Sequence, residues 1–98
     1  MKKLEDIKKL LKENKKELKE KYGVRSIGIF GSFVRGEETD ISDVDILVEF
    51  EKPMGLKFFE FANYLEGILG IRVDLLTFNA IKQKPRLWEI IKNELIYV

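Results

Sequence analysis

A glycine and a serine, Gly31 and Ser32, stand where a short apolar segment gives way to a predicted turn of helix. Such a turn directs backbone N–H groups and the positive end of the helix dipole toward one point, which suits a phosphate group. Glycine lets the backbone approach an anion closely, and the serine hydroxyl can donate one further hydrogen bond. A Gly-Ser turn before a helix is also often only a turn, so this feature alone leaves both interpretations open.

Two aspartates, Asp43 and Asp45, flank Val44 where a second apolar segment begins. Residues two positions apart in a strand point to the same side, so their carboxylates would lie close together and repel each other. That repulsion is tolerated when water or a divalent cation lies between the groups, and Mg²⁺ and Mn²⁺ prefer such oxygen ligands. The spacing indicates a metal site, with two solvated aspartates at a strand entrance as the alternative.

A third aspartate, Asp74, interrupts the apolar segment IRVDLLT. Val73, Leu75 and Leu76 indicate burial on at least one face of this segment, and a carboxylate in such a place needs a partner. A metal ion would supply one, while an exposed edge position or a pairing with Arg72 would explain the residue equally well. If this strand lies beside the one that carries Asp45, three carboxylates converge in front of the Gly31–Ser32 turn, as a two-metal phosphoryl-transfer site requires.

The elements that must position these residues follow from hydrophobic periodicity and from glycine and proline. The pattern predicts the order helix, strand, short helix, strand, helix, strand, helix, without repeats or linkers. The predicted strands are Val24–Phe30, Val44–Phe50 and Ile71–Thr77. The predicted helices run from Leu4 to near Gly23, from Ser32 to about Arg35, from Leu56 to Leu69, and onward from Pro85.

The bulk composition narrows the class of protein. A chain of 98 residues, 45% hydrophobic and 36% charged, fits one globular domain over residues 1–98. It has no cysteine, no signal-peptide pattern and no apolar run long enough to span a membrane, so we expect a soluble, cytoplasmic protein without disulfides. Lys and Arg number 18 against 17 Asp and Glu, a balance that gives no electrostatic reason to expect direct nucleic-acid binding.

The combined pattern, G-S-x-x-R-G followed by S-D-x-D and a later strand aspartate, resembles the nucleotidyltransferase superfamily that includes DNA polymerase beta. It is most similar to the minimal nucleotidyltransferases, which are antitoxin-like partners of HEPN-domain ribonuclease toxins in prokaryotes. The similarity covers nearly the whole chain, including Gly36, Ser42 and the Lys84-Pro85-Arg86 approach to the last helix. It implies an α/β (α+β) fold, a small mixed β-sheet of about three to four strands flanked by helices.

The resemblance also assigns roles to the residues that match the motif. Gly31 and Ser32 would hold the β- and γ-phosphates of a nucleoside triphosphate, and Asp43 and Asp45 would bind the Mg²⁺ that bridges those phosphates. Asp74 would complete a second metal site and help to deprotonate the attacking hydroxyl. The core motif shows no departure from the family pattern.

Arg35 matches the arginine of the motif, and its role stays open. It could face the triphosphate or the carboxylates of its own loop, or it could only cap the short helix and pack the loop. Gly36 serves the turn.

The resemblance implies an enzyme that uses two Mg²⁺ ions and ATP to move AMP onto a hydroxyl, in this family a tyrosine of the HEPN toxin, which is thereby silenced. The acceptor must be presented by another molecule, since the chain has no room for a template-binding or RNA-binding domain. The alternative is an antitoxin that inhibits its toxin by binding alone. Five aromatic residues offer more surface than so small a core easily absorbs, and they would suit an interface if they are not core: Phe58, Phe59, Phe61, Trp88 and Tyr97.

Overall fold

The computed structural model describes residues 2–98 and contains the three predicted strands, the third of them two residues shorter, and a helical structure in each predicted helical segment. The strands are β1 (Val24–Phe30), β2 (Val44–Phe50), β3 (Val73–Thr77) and β4 (Ile96–Tyr97). The helices are α1 (Leu4–Glu13), α2 (Lys15–Tyr22), α3 (Ser32–Arg35), α4 (Lys57–Leu69), α5 (Phe78–Ile81) and α6 (Pro85–Ile91). The additions are α5, β4 and the division of the first helix into two.

The four strands form one mixed sheet in the order β3-β2-β1-β4. Strand β1 pairs antiparallel with β2 and with β4, whereas β2 and β3 run parallel. A parallel neighbour needs a crossover connection, and α4 supplies it between β2 and β3. The predicted fold, a small mixed sheet flanked by helices, is confirmed, and so is the central place of β2 between β1 and β3.

Strand β2 is buried on both faces at its centre, from Ile46 to Val48, because helices cover both sides of the sheet. Val44, Ile46 and Val48 are buried in one cluster with residues of α1, α2 and α4, while Leu47 points the other way and packs with Ile81 and Ile91. Side chains alternate along a strand, so Asp45 shares the face of Leu47. The pair α5 and α6 therefore lies on the face of the sheet that carries Asp45.

The amino-terminal helical segment was predicted as one helix, and this prediction is wrong. Asn14, with φ −105° and ψ 12°, separates α1 from α2, and its side-chain amide donates a hydrogen bond of 2.8 Å to the Leu10 carbonyl. This local bond offers the backbone an alternative to a continuous helix. The apolar face survives the break because Leu11 and Leu18 are seven residues apart and both buried. Helix α2 ends at Gly23 in the left-handed conformation, as expected.

Among residues 2–98, no helix is long and apolar enough to cross a membrane.

Candidate active site

The backbone at Gly31 adopts a conformation that is open almost only to glycine, with φ 82° and ψ −153°. It joins the end of β1 to α3, and its carbonyl accepts hydrogen bonds from the N–H groups of Val34 (3.0 Å) and Arg35 (3.2 Å). A Cβ added at Gly31 would lie 2.9 Å from Cγ of Asp45 and closer still to Oδ2. Glycine is needed here because the turn lies directly against that carboxylate.

Strand register brings Asp45 and Asp74 side by side. In the parallel β2–β3 pair they are direct partners, and on the other side of β2 Asp45 is opposite Phe30, the residue before Gly31. Direct partners in neighbouring strands point to the same face of a sheet. Two carboxylates and the Gly31 turn therefore meet at one end of the sheet, contributed by three adjacent strands.

This crowding shows in the protonation of Asp45, whose pKa is raised to about 6. Burial of the half-buried carboxylate is the largest cause, followed by repulsion from Asp74, a hydrogen bond to Asp74 and repulsion from Asp43. The positive charge of Arg35 opposes the shift. The chain itself supplies too little positive charge to balance these carboxylates, which is the condition that a bound divalent cation relieves.

Asp43 departs from the predicted arrangement. Its Oδ1 lies 3.1 Å from Nε of Arg72 in an ion pair between two well-exposed side chains. Residues 2–98 hold no group of three His, Cys, Asp or Glu side chains gathered closely enough to hold a metal ion. The expected convergence of three carboxylates is thus realised for Asp45 and Asp74, while Asp43 pairs with the arginine that the sequence offered as a partner for Asp74. An exposed ion pair of this kind contributes little stability, so it is easily exchanged.

Arg35 binds carboxylates on both of its sides. Its Nε donates to Glu37 at 2.8 Å within the motif loop, and its Nη1 donates to Glu94 at 2.9 Å. These two hydrogen bonds, with Glu37 first, raise the pKa of the guanidinium. The contact with the loop's own carboxylate was one of the roles left open by the sequence, whereas Glu94 was not foreseen.

Glu94 follows α6 and also accepts a hydrogen bond from the Gly31 N–H. The contact joins residues 63 positions apart. No local spacing or motif near residue 94 marks this glutamate, so only the packing of β4 against β1 could have indicated it.

The residues present fit a Mg²⁺ ion and a triphosphate. The carboxylates of Asp45 and Asp74 supply oxygen ligands of the kind that Mg²⁺ prefers. The Asp43 carboxylate is close enough to repel that of Asp45. Gly31 presents its backbone at a point where a side chain would clash. A groove of about 450 Å³ lies at the other end of β2 and β3, and none of the predicted site residues lines it. Charge and backbone geometry, rather than an enclosed cavity, distinguish the candidate site.

A protein-family model described as "Nucleotidyltransferase domain" matches residues 11–98, which include the whole sheet and every predicted site residue. The chain belongs to this nucleotidyltransferase family. The predicted superfamily and enzyme class are confirmed by this match.

Curated relatives of this nucleotidyltransferase extend over its full length. A protein of Methanocaldococcus jannaschii, provisionally named a protein adenylyltransferase, is 54% identical in an alignment that covers 100% of both chains. Protein adenylyltransferase MntA of Thermococcus cleftensis is 50% identical over 97% of this chain and 95% of its own length.

Solved structures share the fold of this nucleotidyltransferase. One, provisionally described as a minimal nucleotidyltransferase, has a TM-score of 0.71 and 34% identity, covering 93% of this chain and 94% of that chain. A second, from a crystal structure of a toxin–antitoxin with AMP-PNP, has a TM-score of 0.55 and 28% identity, covering 78% of this chain and 57% of that one.

Proposed function

We propose that this nucleotidyltransferase moves AMP from ATP onto a hydroxyl of a partner protein, in a Mg²⁺-dependent reaction that makes it an antitoxin. The pairing of Asp45 with Asp74 beside the Gly31 turn carries the proposal, because it places two unbalanced carboxylates next to a backbone suited to phosphate. The names of the relatives, protein adenylyltransferases, support AMP as the transferred group. The neighbour with AMP-PNP, an ATP analogue, supports ATP as its source.

The proposed roles are those that the family resemblance implies, and the positions of these residues support them. Gly31 and Ser32 would hold the β- and γ-phosphates, with Arg35 as a further positive group beside them. Asp43, Asp45 and Asp74 would hold two Mg²⁺ ions, which when bound supply neutralisation of charge on the triphosphate and on the leaving pyrophosphate.

Transfer would be an in-line displacement. The acceptor hydroxyl oxygen forms a bond to the α-phosphorus, and the bond from that phosphorus to the oxygen it shares with the β-phosphate breaks to release pyrophosphate. Asp74 lies on the exposed edge strand and would accept the hydroxyl proton.

The acceptor we propose is a tyrosine of a HEPN-domain toxin. The open position of Asp74 suits an acceptor that is presented by another folded protein, and a structural neighbour from a toxin–antitoxin supports a toxin as the partner. Modification of the toxin would silence it.

Inhibition by binding alone is the second candidate, and exposed apolar side chains favour it. Phe59 is 66% exposed and Leu56 is 85% exposed near the start of α4, and Tyr97 is also exposed. Of the other aromatic residues singled out in the sequence, Phe61 is buried, while Phe58 and Trp88 are partly buried. Exposed apolar groups of this kind mark protein interfaces and would serve either mode of inhibition.

A labelling experiment separates the two candidates. The chain is incubated with ATP labelled at the α-phosphate, Mg²⁺ and a purified HEPN-domain protein from the same organism, with and without EDTA. We expect label on a tyrosine of the HEPN protein, lost with EDTA and in Asp45→Asn, and retained in Glu51→Gln, which removes the same charge directly after the other end of β2. An Asp45→Asn variant that still silences the toxin without labelling it would establish inhibition by binding alone.

A further inference from the structure

One carboxylate occupies the place where the motif would receive a phosphate. Oε2 of Glu94 accepts a hydrogen bond from the Gly31 N–H, and Nη1 of Arg35 lies 2.9 Å from Oε1 and 3.1 Å from Oε2 of the same glutamate. The Glu94 side chain is only 18% exposed. Glu94 is therefore a largely shielded anion with three hydrogen bonds to these two residues, while the Arg35 side chain is about half exposed.

The donors that hold Glu94 are the groups that a triphosphate needs. A backbone N–H at a glycine turn and a guanidinium form a donor set that recognises carboxylate and phosphate oxygens alike. Both donors belong to the residues assigned to phosphate binding, Gly31 and Arg35. A phosphate cannot occupy the same donors as Glu94, because their oxygen atoms would take the same positions and two anions in contact repel each other.

We propose that Glu94 occupies the position of one phosphate of the triphosphate in the nucleotide-free enzyme, and that the nucleotide must displace it in order to bind. This inference rests on the proposed role of Gly31 and Arg35 in holding the triphosphate. Glu94 is thereby a residue that sets nucleotide affinity from outside the motif.

Displacement requires little more than a change of the Glu94 side-chain rotamer. The backbone of Glu94 is held by a 3.0 Å hydrogen bond from its N–H to the Ile91 carbonyl, and β4, which begins two residues later at Ile96, pairs with β1. When Glu94 leaves, Arg35 keeps its 2.8 Å bond to Glu37, so the guanidinium stays beside Gly31 for the incoming phosphate. The exchange therefore needs no unfolding of the site.

The test measures binding of inorganic tripolyphosphate in EDTA, so that neither metal nor catalysis enters. Glu94→Gln keeps the shape of the side chain and removes its charge. Glu89→Gln is the control, because it makes the same charge change on nearby α6 at an exposed side chain that pairs with Lys92 at 2.8 Å. We expect Glu94→Gln to bind tripolyphosphate about tenfold more tightly than Glu89→Gln by calorimetry, since a charged competitor is removed from charge-assisted hydrogen bonds.

A second measurement uses the wild-type chain and so does not depend on a variant that folds. Tripolyphosphate should shift the NMR resonances of the Gly31 amide and of the Glu94 carboxyl carbon together, at the same concentrations. The proposal would be overturned if the resonance of the Glu94 carboxyl carbon did not shift while tripolyphosphate saturated the site.

Two further results would also overturn it. Affinity of Glu94→Gln equal to that of Glu89→Gln would show that Glu94 does not compete, and weaker affinity would show that it positions Arg35 for the anion. The labelling experiment tests the proposed function separately: if that function is wrong, the wild-type chain transfers no AMP in the presence of Mg²⁺ and ATP.

Discussion

The Asp45 carboxylate lies so close to the Gly31 backbone that no side chain fits between them. The variant Gly31→Ala therefore tests the site directly. The added Cβ would collide with Asp45 and force the backbone out of a region that only glycine occupies readily. We expect Mg·ATP affinity to fall at least about tenfold, or roughly 1.4 kcal/mol, as measured by calorimetry.

Gly36→Ala is the matched control for Gly31→Ala. Gly36 also has positive φ, 72°, but an added Cβ there would meet nothing within 4 Å. This variant should lose about 1 kcal/mol of unfolding free energy from left-handed strain and keep its nucleotide affinity. Equal losses of affinity in both variants would assign the effect to backbone strain instead of the carboxylate contact.

Asp74 should contribute more to the chemical step than to nucleotide binding, because its proposed task is to accept the proton of the attacking hydroxyl. Asp74→Asn should reduce the transfer rate about 10²-fold or more, the usual effect of removing a general base. It should weaken Mg·ATP binding less than Asp43→Asn does. Single-turnover labelling and calorimetry on the two variants decide this, and the reverse order of affinities would contradict the assignment.

Local sequence could reveal the residues of the motif but not all of their partners. The glycine turn and the D-x-D spacing are visible because they lie within a few positions of one another, and the register that joins Asp45 to Asp74 follows once β3 is placed beside β2. The ion pair of Asp43 with Arg72 and the hydrogen bonds of Glu94 depend on where distant segments pack. Such contacts leave no periodic or compositional trace in the sequence.

Strand β4 holds in place the segment that carries Glu94, because it pairs with β1 two residues after that glutamate. Gly28 of β1 pairs with Tyr97 of β4, and a Cβ at Gly28 would lie 2.8 Å from Cδ1 of Leu95 and 3.1 Å from the Ile96 carbonyl oxygen. Glycine therefore allows the two strands to approach closely. Strand β4 could not be predicted from hydrophobic periodicity, since a strand of two residues is too short for an alternating pattern.

A larger residue at position 28 should push β4 away from the sheet. We expect Gly28→Val to lower the unfolding free energy by about 1–3 kcal/mol through overpacking, as measured by urea denaturation. Hydrogen exchange should then be faster at the Val98 amide, because the Val98 N–H donates a hydrogen bond of 3.0 Å to the Ile27 carbonyl. Unchanged exchange at this amide would show that β4 tolerates the side chain by a shift of Leu95 alone.

Helices were predicted more reliably where a strong stop signal ends them. Gly23 and Gly70 both adopt left-handed conformations at helix ends, and Pro85 occupies the first turn of α6. The break at Asn14 has only a weaker signal, asparagine as a preferred N-cap residue with Glu17 three positions later, and its side-chain bond to Leu10 shows only in three dimensions. Helix α5 is a single turn of four residues, which is too short for hydrophobic periodicity to detect. The Thr77 hydroxyl caps it by accepting a hydrogen bond of 3.1 Å from the Ala80 N–H.

For the whole molecule, the raised pKa of Asp45 makes the metal-free protein less stable as pH rises. The folded pKa is about 6 and the ordinary value is 3.8, so between these pH values the folded state binds more protons than the unfolded state. The contribution is present below about pH 4 and is lost as pH rises to about 6. Because the carboxylate is only half-buried, solvent screening reduces this loss to about 1 kcal/mol.

Urea denaturation of the wild type and Asp45→Asn at pH 4 to 7, in EDTA, measures this loss. The variant should gain on the wild type as pH rises and hold a constant advantage above pH 6. Saturating Mg²⁺ and ATP should remove that advantage at pH 7, because ligands that bind the folded state stabilise it by mass action. A difference between the two proteins that does not vary with pH would contradict the charged cluster at Asp45.

Strand β3 is the last strand on its side of the sheet, and Asp74 on it is exposed. Among residues 2–98, no further strand lies beyond β3, and the exposed Asp74 carboxylate is open to water. Water there is itself a nucleophile, so without an acceptor the bound nucleotide is exposed to hydrolysis to AMP and pyrophosphate. The acceptor protein would then limit wasteful hydrolysis of ATP, because its surface would cover the open edge at β3 only while its hydroxyl is in position to react.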